Sequence, residues 1–141
     1  MKKTHETRWV IYTEHEDSIW EAEYLGDIPP ITGELAKEIV AQRRKLLPEP
    51  IRLVMHMPKD FGLFSKEARA YFAGREGTQG IIASAIIVDG FISWGLMKFL
   101  SIIQPSTFPV ETFRDIEKAK KWLIKQNPGS SEMPFGHFAQ A

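Results

Sequence analysis

Apolar and polar residues divide the chain into alternating short and long words. Arg8 to Glu14 and Ser18 to Leu25 are β-prone runs parted by the polar His15-Glu16-Asp17, which predicts an opening hairpin. In the second run Trp20, Ala22 and Tyr24 share one strand face while Glu21 and Glu23 share the other, so one side is expected to face water. Pro29-Pro30 then breaks the chain. Thr32 is placed to cap a helix through about Leu47, with Glu34 in its first turn and Leu35, Ile39, Arg43 and Leu46 near one stripe. Pro48 and Pro50 end it, Ile51 to Met57 reads as a strand, and a loop with Pro58 and Gly62 follows. Ser65 caps a second helix to about Ala73, with Ala68, Tyr71 and Phe72 inward and Gly74 as C-cap.

The most apolar stretch runs from Gly80 to Ile103, where Asp89 and Lys98 are the sole charges. Ile81 to Val88 reads as a strand buried on both faces, Asp89-Gly90 as a turn, and Phe91 to Ile103 as a helix apolar on nearly every side. An Asp at mid-bilayer would be costly, so strand, turn and helix is preferred to a membrane span. Pro105 and Pro109 bracket a turn before a short strand, Val110 to Phe113. Asp115 opens a last helix to about Gln126 whose buried side is Ile116, Ala119, Trp122 and Leu123.

The expected fold class is therefore α/β: one domain over residues 1–126 in the order β-β-α-β-α-β-α-β-α, followed by a flexible tail over 127–141. Crossover connections make the expected five-stranded sheet mostly parallel, with an antiparallel edge hairpin and four helices.

Three words carry a family likeness: Ile31-Thr32-Gly33-Glu34-Leu35-Ala36-Lys37-Glu38-Ile39-Val40, Ser65-Lys66-Glu67-Ala68-Arg69-Ala70-Tyr71-Phe72-Ala73, and Phe113 with Glu117, Ala119, Trp122 and Leu123. With the element order, residues 8 to 125 resemble the small bacterial SpoIIAA-like family, related to STAS anti-sigma-factor-antagonist domains and distantly to SEC14-type lipid-binding domains. The resemblance implies a non-enzymatic binding or regulatory module, commonly dimeric, in a branch whose role is mostly unassigned. STAS antagonists carry an Asp-Ser-Ser-Gly-like word with a phosphorylated serine, and the corresponding stretch here is Phe64-Ser65-Lys66-Glu67. The hydroxyl is kept at Ser65, with Phe64 in place of the acidic neighbour and Lys66 next. Ser65 is thus the candidate phosphorylation or regulatory residue, beside its plain reading as an N-cap.

Composition narrows the function classes. The 141 residues suffice for one core that buries about two-thirds of the unfolded surface. The absence of cysteine removes disulfides, thiolate catalysis and thiol-ligated metals. Eighteen basic residues balance eighteen acidic ones, so nucleic acid is not an expected partner. A polar Met1 to Arg8 without an apolar core reads as no secretion signal, and the chain is expected to be cytoplasmic.

The 91–103 helix has three readings: core beneath loops, a self-association face, or the wall of an apolar pocket. A helix apolar all round in so small a domain favours the second, with Phe91, Trp94, Met97, Lys98, Phe99 and Ile102 as interface or pocket residues and a homodimer as the expected state. Another regulatory protein is the other expected partner, and a SEC14-like carrier of an apolar small molecule is the alternative function.

Neither a metal nor a cofactor is expected, since His5, His15, His56 and His137 show no metal-ligand spacing. His15 among Glu14, Glu16 and Asp17 reads as a solvated turn. A hydrolase-like set of His56, Asp60 and Ser65 is the remote enzyme alternative, without a nucleophile elbow around Ser65. Gly74, Gly77 and Gly80 precede a strand rather than follow one, so they read as a helix end and turn, not a phosphate loop. Arg43-Arg44-Lys45 reads as a solvated helix end.

Overall fold

The computed structural model describes residues 3–56, 64–88 and 108–127. Its elements are β1 (Thr4–Glu6), β2 (Val10–Glu14), β3 (Ile19–Tyr24), α1 (Gly33–Leu46), β4 (Ile51–His56), α2 (Lys66–Ala73), α3 (Arg75–Thr78), β5 (Ile81–Ile87), β6 (Val110–Phe113) and α4 (Ile116–Ile124). The segment 91–103, the loop residues Pro58, Asp60 and Gly62, His137 and the tail beyond Asn127 lie outside the described residues.

The six strands form one mixed sheet whose spatial order repeats the chain order, β1 through β6. The first two pairings are antiparallel and the remaining three are parallel. This is an α/β fold with one strand more than the sequence pattern predicts. The addition is β1, which pairs Thr4 with Thr13, His5 with Tyr12 and Glu6 with Ile11. Its short polar word carries no apolar alternation, so the pairing rests on backbone hydrogen bonds. A second departure is α3, one turn of helix where the three glycines read as helix end and loop.

Each parallel step moves one strand along in the same direction, and crossovers of one hand then fall on one face of the sheet. Accordingly Ala36 and Ile39 of α1 and Ala68 and Ala73 of α2 share a core with Val10, Tyr12, Trp20, Ala22, Leu53 and Ile86. On the opposite face Ala119 and Leu123 of α4 close over Ile19, Val54, Ile82, Ala83 and Ala85. Ile82 and Ala83 are consecutive yet share that core, because the ladder slips between Ile51 and Arg52 and the bulge turns both inward.

The helix starts are fixed by local chemistry. The backbone N–H of Leu35 donates to Thr32 Oγ1, that of Ala68 to Ser65 Oγ, and that of Glu117 to Asp115 Oδ1, at 3.0–3.1 Å. Among the described residues no helix is long and apolar enough to cross a membrane.

Candidate functional site

Strand alternation divides the polar residues of β2, β3 and β4 between the two faces. Ile11, Thr13, Glu21, Glu23, Arg52 and His56 fall on the α4 side, and register sets Glu21 beside Thr13 and Val54, and Glu23 beside Ile11 and His56. Contacts of α4 run chiefly to β4, β5 and β6, and on β3 it packs over Ile19 at the start of the strand. A polar cluster occupies the β2–β3 side of this face. His15 Nε2 lies 2.8 Å from Glu21 Oε1, and His56 Nε2 lies 2.5 Å from Glu21 Oε2.

Glu21 thus spans two imidazoles. Desolvation opposes its ionisation, but hydrogen bonds from His15 and His56 and the positive charge of both rings outweigh that cost and hold the carboxyl below its ordinary 4.5. Its contribution to stability is therefore complete above about pH 4.5 and is lost as the pH falls below that value. His15, expected in a solvated turn, instead has a side chain only 6% exposed.

The turn that delivers His15 is tight. Asp17 and Ser18 both hold φ near 60°, and across them the backbone N–H of Ile19 donates to the Glu16 carbonyl at 3.2 Å, closing a β-turn on two left-handed residues. Arg52 fastens this turn to the helix across the sheet. Its Nη1 donates to the Asp17 carbonyl at 2.8 Å, while Nε and Nη2 donate to the carbonyls of Leu123 and Gln126 at 2.8–3.1 Å. One guanidinium thereby satisfies carbonyls at the C-terminal end of α4 and in the β2–β3 turn.

Between those two anchored walls lies an open groove of about 430 Å³, lined by Glu14, His15, Glu16, Asp17, Ile19, Lys120 and Ile124. Lys120 is already paired with Glu117 at 3.3 Å, so the lining is acidic on balance. Ile124, 49% exposed, is the one large hydrophobic side chain strongly exposed among the described residues.

The opposite face holds a small cavity between sheet and helices. Tyr24, Arg43, Leu53, Met55, Phe72, Ile86 and Phe108 border a cavity of about 60 Å³ there, the bulk volume of roughly two water molecules. Arg43, expected at a solvated helix end, is 6% exposed. Its Nη1 and Nη2 donate to the carbonyls of Gly77 and Gln79 at 3.1 and 3.3 Å. Burial pushes Tyr12 up to about 12 and raises Tyr24, with Arg43 opposing both shifts.

Ser65 serves as the cap of α2, on the α1 side of the sheet, whereas His56 projects to the α4 side. The His56–Ser65 pairing of the enzyme alternative therefore does not assemble.

Glu111 is 7% exposed on β6, and its carboxyl has neither a hydrogen bond nor an ion pair among the described residues. Desolvation raises it to about 7. The folded state then keeps a proton that the unfolded chain releases near 4.5, so stability falls as pH rises from about 4.5 to about 7. Glu111→Gln is expected to match the parent at pH 5 and exceed it by about 1–2 kcal/mol at pH 8. Urea denaturation at both pH values checks this.

Fold and site together define a small α/β domain that presents a walled acidic groove and a carboxylate–imidazole cluster on one sheet face. The chain belongs to a domain family of unknown function, DUF7793, whose family model matches residues 13–127. Comparisons with curated proteins and with solved structures gave no match.

Proposed function

We propose that the chain is a non-enzymatic binding module that docks a protein segment in the groove between the β2–β3 turn and α4. The observation that carries this reading is the coincidence of exposed Ile124 with the carboxylates of Glu14, Glu16 and Asp17 in one groove. The matching partner is a basic segment with an aliphatic side chain beside its Lys or Arg residues, since apolar burial supplies affinity and charge supplies orientation and approach. Arg52 keeps the two walls at fixed separation, so the surface is preorganised.

A carrier role has less support among the described residues, where the cavity between sheet and helices measures about 60 Å³ against the several hundred Å³ usual for ligand sites. The SpoIIAA-like assignment, with its STAS-like order, regulatory role and cytoplasmic setting, remains part of the proposal and rests on the words at Ile31–Val40 and Ser65–Ala73. Homodimerisation through Phe91, Trp94, Met97, Lys98, Phe99 and Ile102 is proposed on apolar pattern alone, as those residues lie outside the described ones.

The test places a photo-reactive amino acid at position 124 and compares the parent with Glu16→Lys combined with Ile124→Glu. Cross-links to a basic segment, and a tenfold or greater loss of affinity in the double variant, are expected. Both sites are exposed, so stability should change by less than about 0.5 kcal/mol per site. Unchanged affinity in the double variant, or cross-links confined to acidic or neutral segments, would refute the groove as the docking site.

A further inference from the structure

We infer that Glu21, Glu23 and His56 form a binding site for a divalent transition-metal ion, with zinc as its best match, and that His15 positions the Glu21 ligand. This stands apart from the groove reading and requires no partner protein.

One ligand atom from each of Glu21, Glu23 and His56 lies within 4.8 Å of the other two. A tetrahedral zinc ion with bonds of about 2.0–2.2 Å needs its ligand atoms roughly 3.4 Å apart, a closure within reach of side-chain rotation. The backbone already sets the direction. Glu21 and Glu23 are two residues apart on β3 and share a face, while His56 is the register partner of Glu23 on β4. Three ligands come from two hydrogen-bonded strands, which hold them more firmly than a loop would.

The ligand chemistry favours a borderline cation. An imidazole with two carboxylates suits zinc, whereas magnesium and calcium prefer sites built from oxygen alone. His56 Nε2 and Glu21 Oε2 now share a hydrogen bond, and the ion would take its place between the two atoms, with the neutral ring carrying its hydrogen on Nδ1. Glu21 Oε1 stays with His15, at 2.8 Å, when Oε2 turns to the metal. A ligand oriented by an outer partner in this way is worth about 10–100-fold in affinity. Water completes the coordination on the open side, where Glu23 is exposed.

Spacing along the chain hides this site. Glu21 and Glu23 look like the wet face of a strand, and His56 stands 35 residues from Glu21.

Zinc sulfate titrated into the full chain by calorimetry should show one ion per chain. Glu21→Gln and His56→Ala should each weaken binding by at least tenfold. His15→Ala should weaken it while leaving one ion per chain, and His5→Ala should leave it unchanged. Because a variant can lose structure, the parent protein supplies a second reading: the ring-nitrogen resonances of His56 should shift on zinc addition while those of His5 stay in place. Absence of binding at millimolar zinc, unchanged affinity in His56→Ala, or an unmoved His56 resonance in the saturated parent would overturn the site.

Discussion

Arg43→Ala is expected to destabilise the domain by about 3–5 kcal/mol, enough to lower the thermal midpoint by about 10 °C or more. Arg43 leaves α1 to donate to the carbonyls of Gly77 and Gln79, on either side of the end of α3. Alanine would leave both acceptors without this donor and open a void beside Tyr24 and Phe72, which border the same cavity. Some of the loss is returned, because burial disfavours the guanidinium charge and lowers its pKa, with Tyr12 and Glu49 acting against that shift. Arg43→Met separates these effects. It keeps the aliphatic volume and drops the charge, so it should cost about half as much. Equal losses in the two variants, measured by chemical denaturation, would show that packing plays no part.

The second large effect lies at the other end of the same contact. Gly77→Ala would drive a Cβ into the Tyr71 carbonyl oxygen and bring it to 2.7 Å from Phe72 Cα. Those atoms belong to the backbone of α2, so no side-chain rotation relieves the overlap, and α3 must lift away from α2. A loss of about 3 kcal/mol is expected, at the upper end of what overpacking costs. Gly80 faces a milder version: its φ is +84°, and a methyl group added there would overlap the Glu49 carboxylate. A long glutamate side chain can swing aside, so strain from the left-handed backbone dominates there. Since Arg43 donates to Gly77, the Arg43→Ala and Gly77→Ala losses should sum to more than the double variant shows.

How much of this the chain declares depends on how local the signal is. Thr32, Ser65 and Asp115 cap their helices where the pattern places them, because a cap needs only the next three residues. Arg43 admits two readings in sequence, as a member of the Leu35–Ile39–Leu46 stripe and as part of a basic helix end. The stripe is the better guide, and Arg44 beside it does reach outward to Glu49 at 3.0 Å. The α4 boundary is equally legible, with Ala119 and Leu123 buried as their period demands.

The polar cluster is not legible, for the opposite reason. Alternation shows that Glu21 and Glu23 share a face, yet it carries no information on which strand lies alongside. Only the parallel register of β3 with β4 brings His56 to them, and only the two left-handed residues of the turn bring His15. A search for paired histidines on a helix passes over ligands that meet across a sheet. The edge strand β1 escapes for want of any apolar period. The resemblance to SpoIIAA-like words bears on the helices, and it is silent on this face.

The coincidence of spatial and chain order in the sheet has a consequence for biosynthesis. Every strand after the first meets an edge that was translated before it, so the sheet can grow vectorially as the polypeptide leaves the ribosome, without waiting for distant sequence. The acidic groove is the exception: one wall belongs to the nascent hairpin and the other to the last helix made, so it is completed only near the end of synthesis.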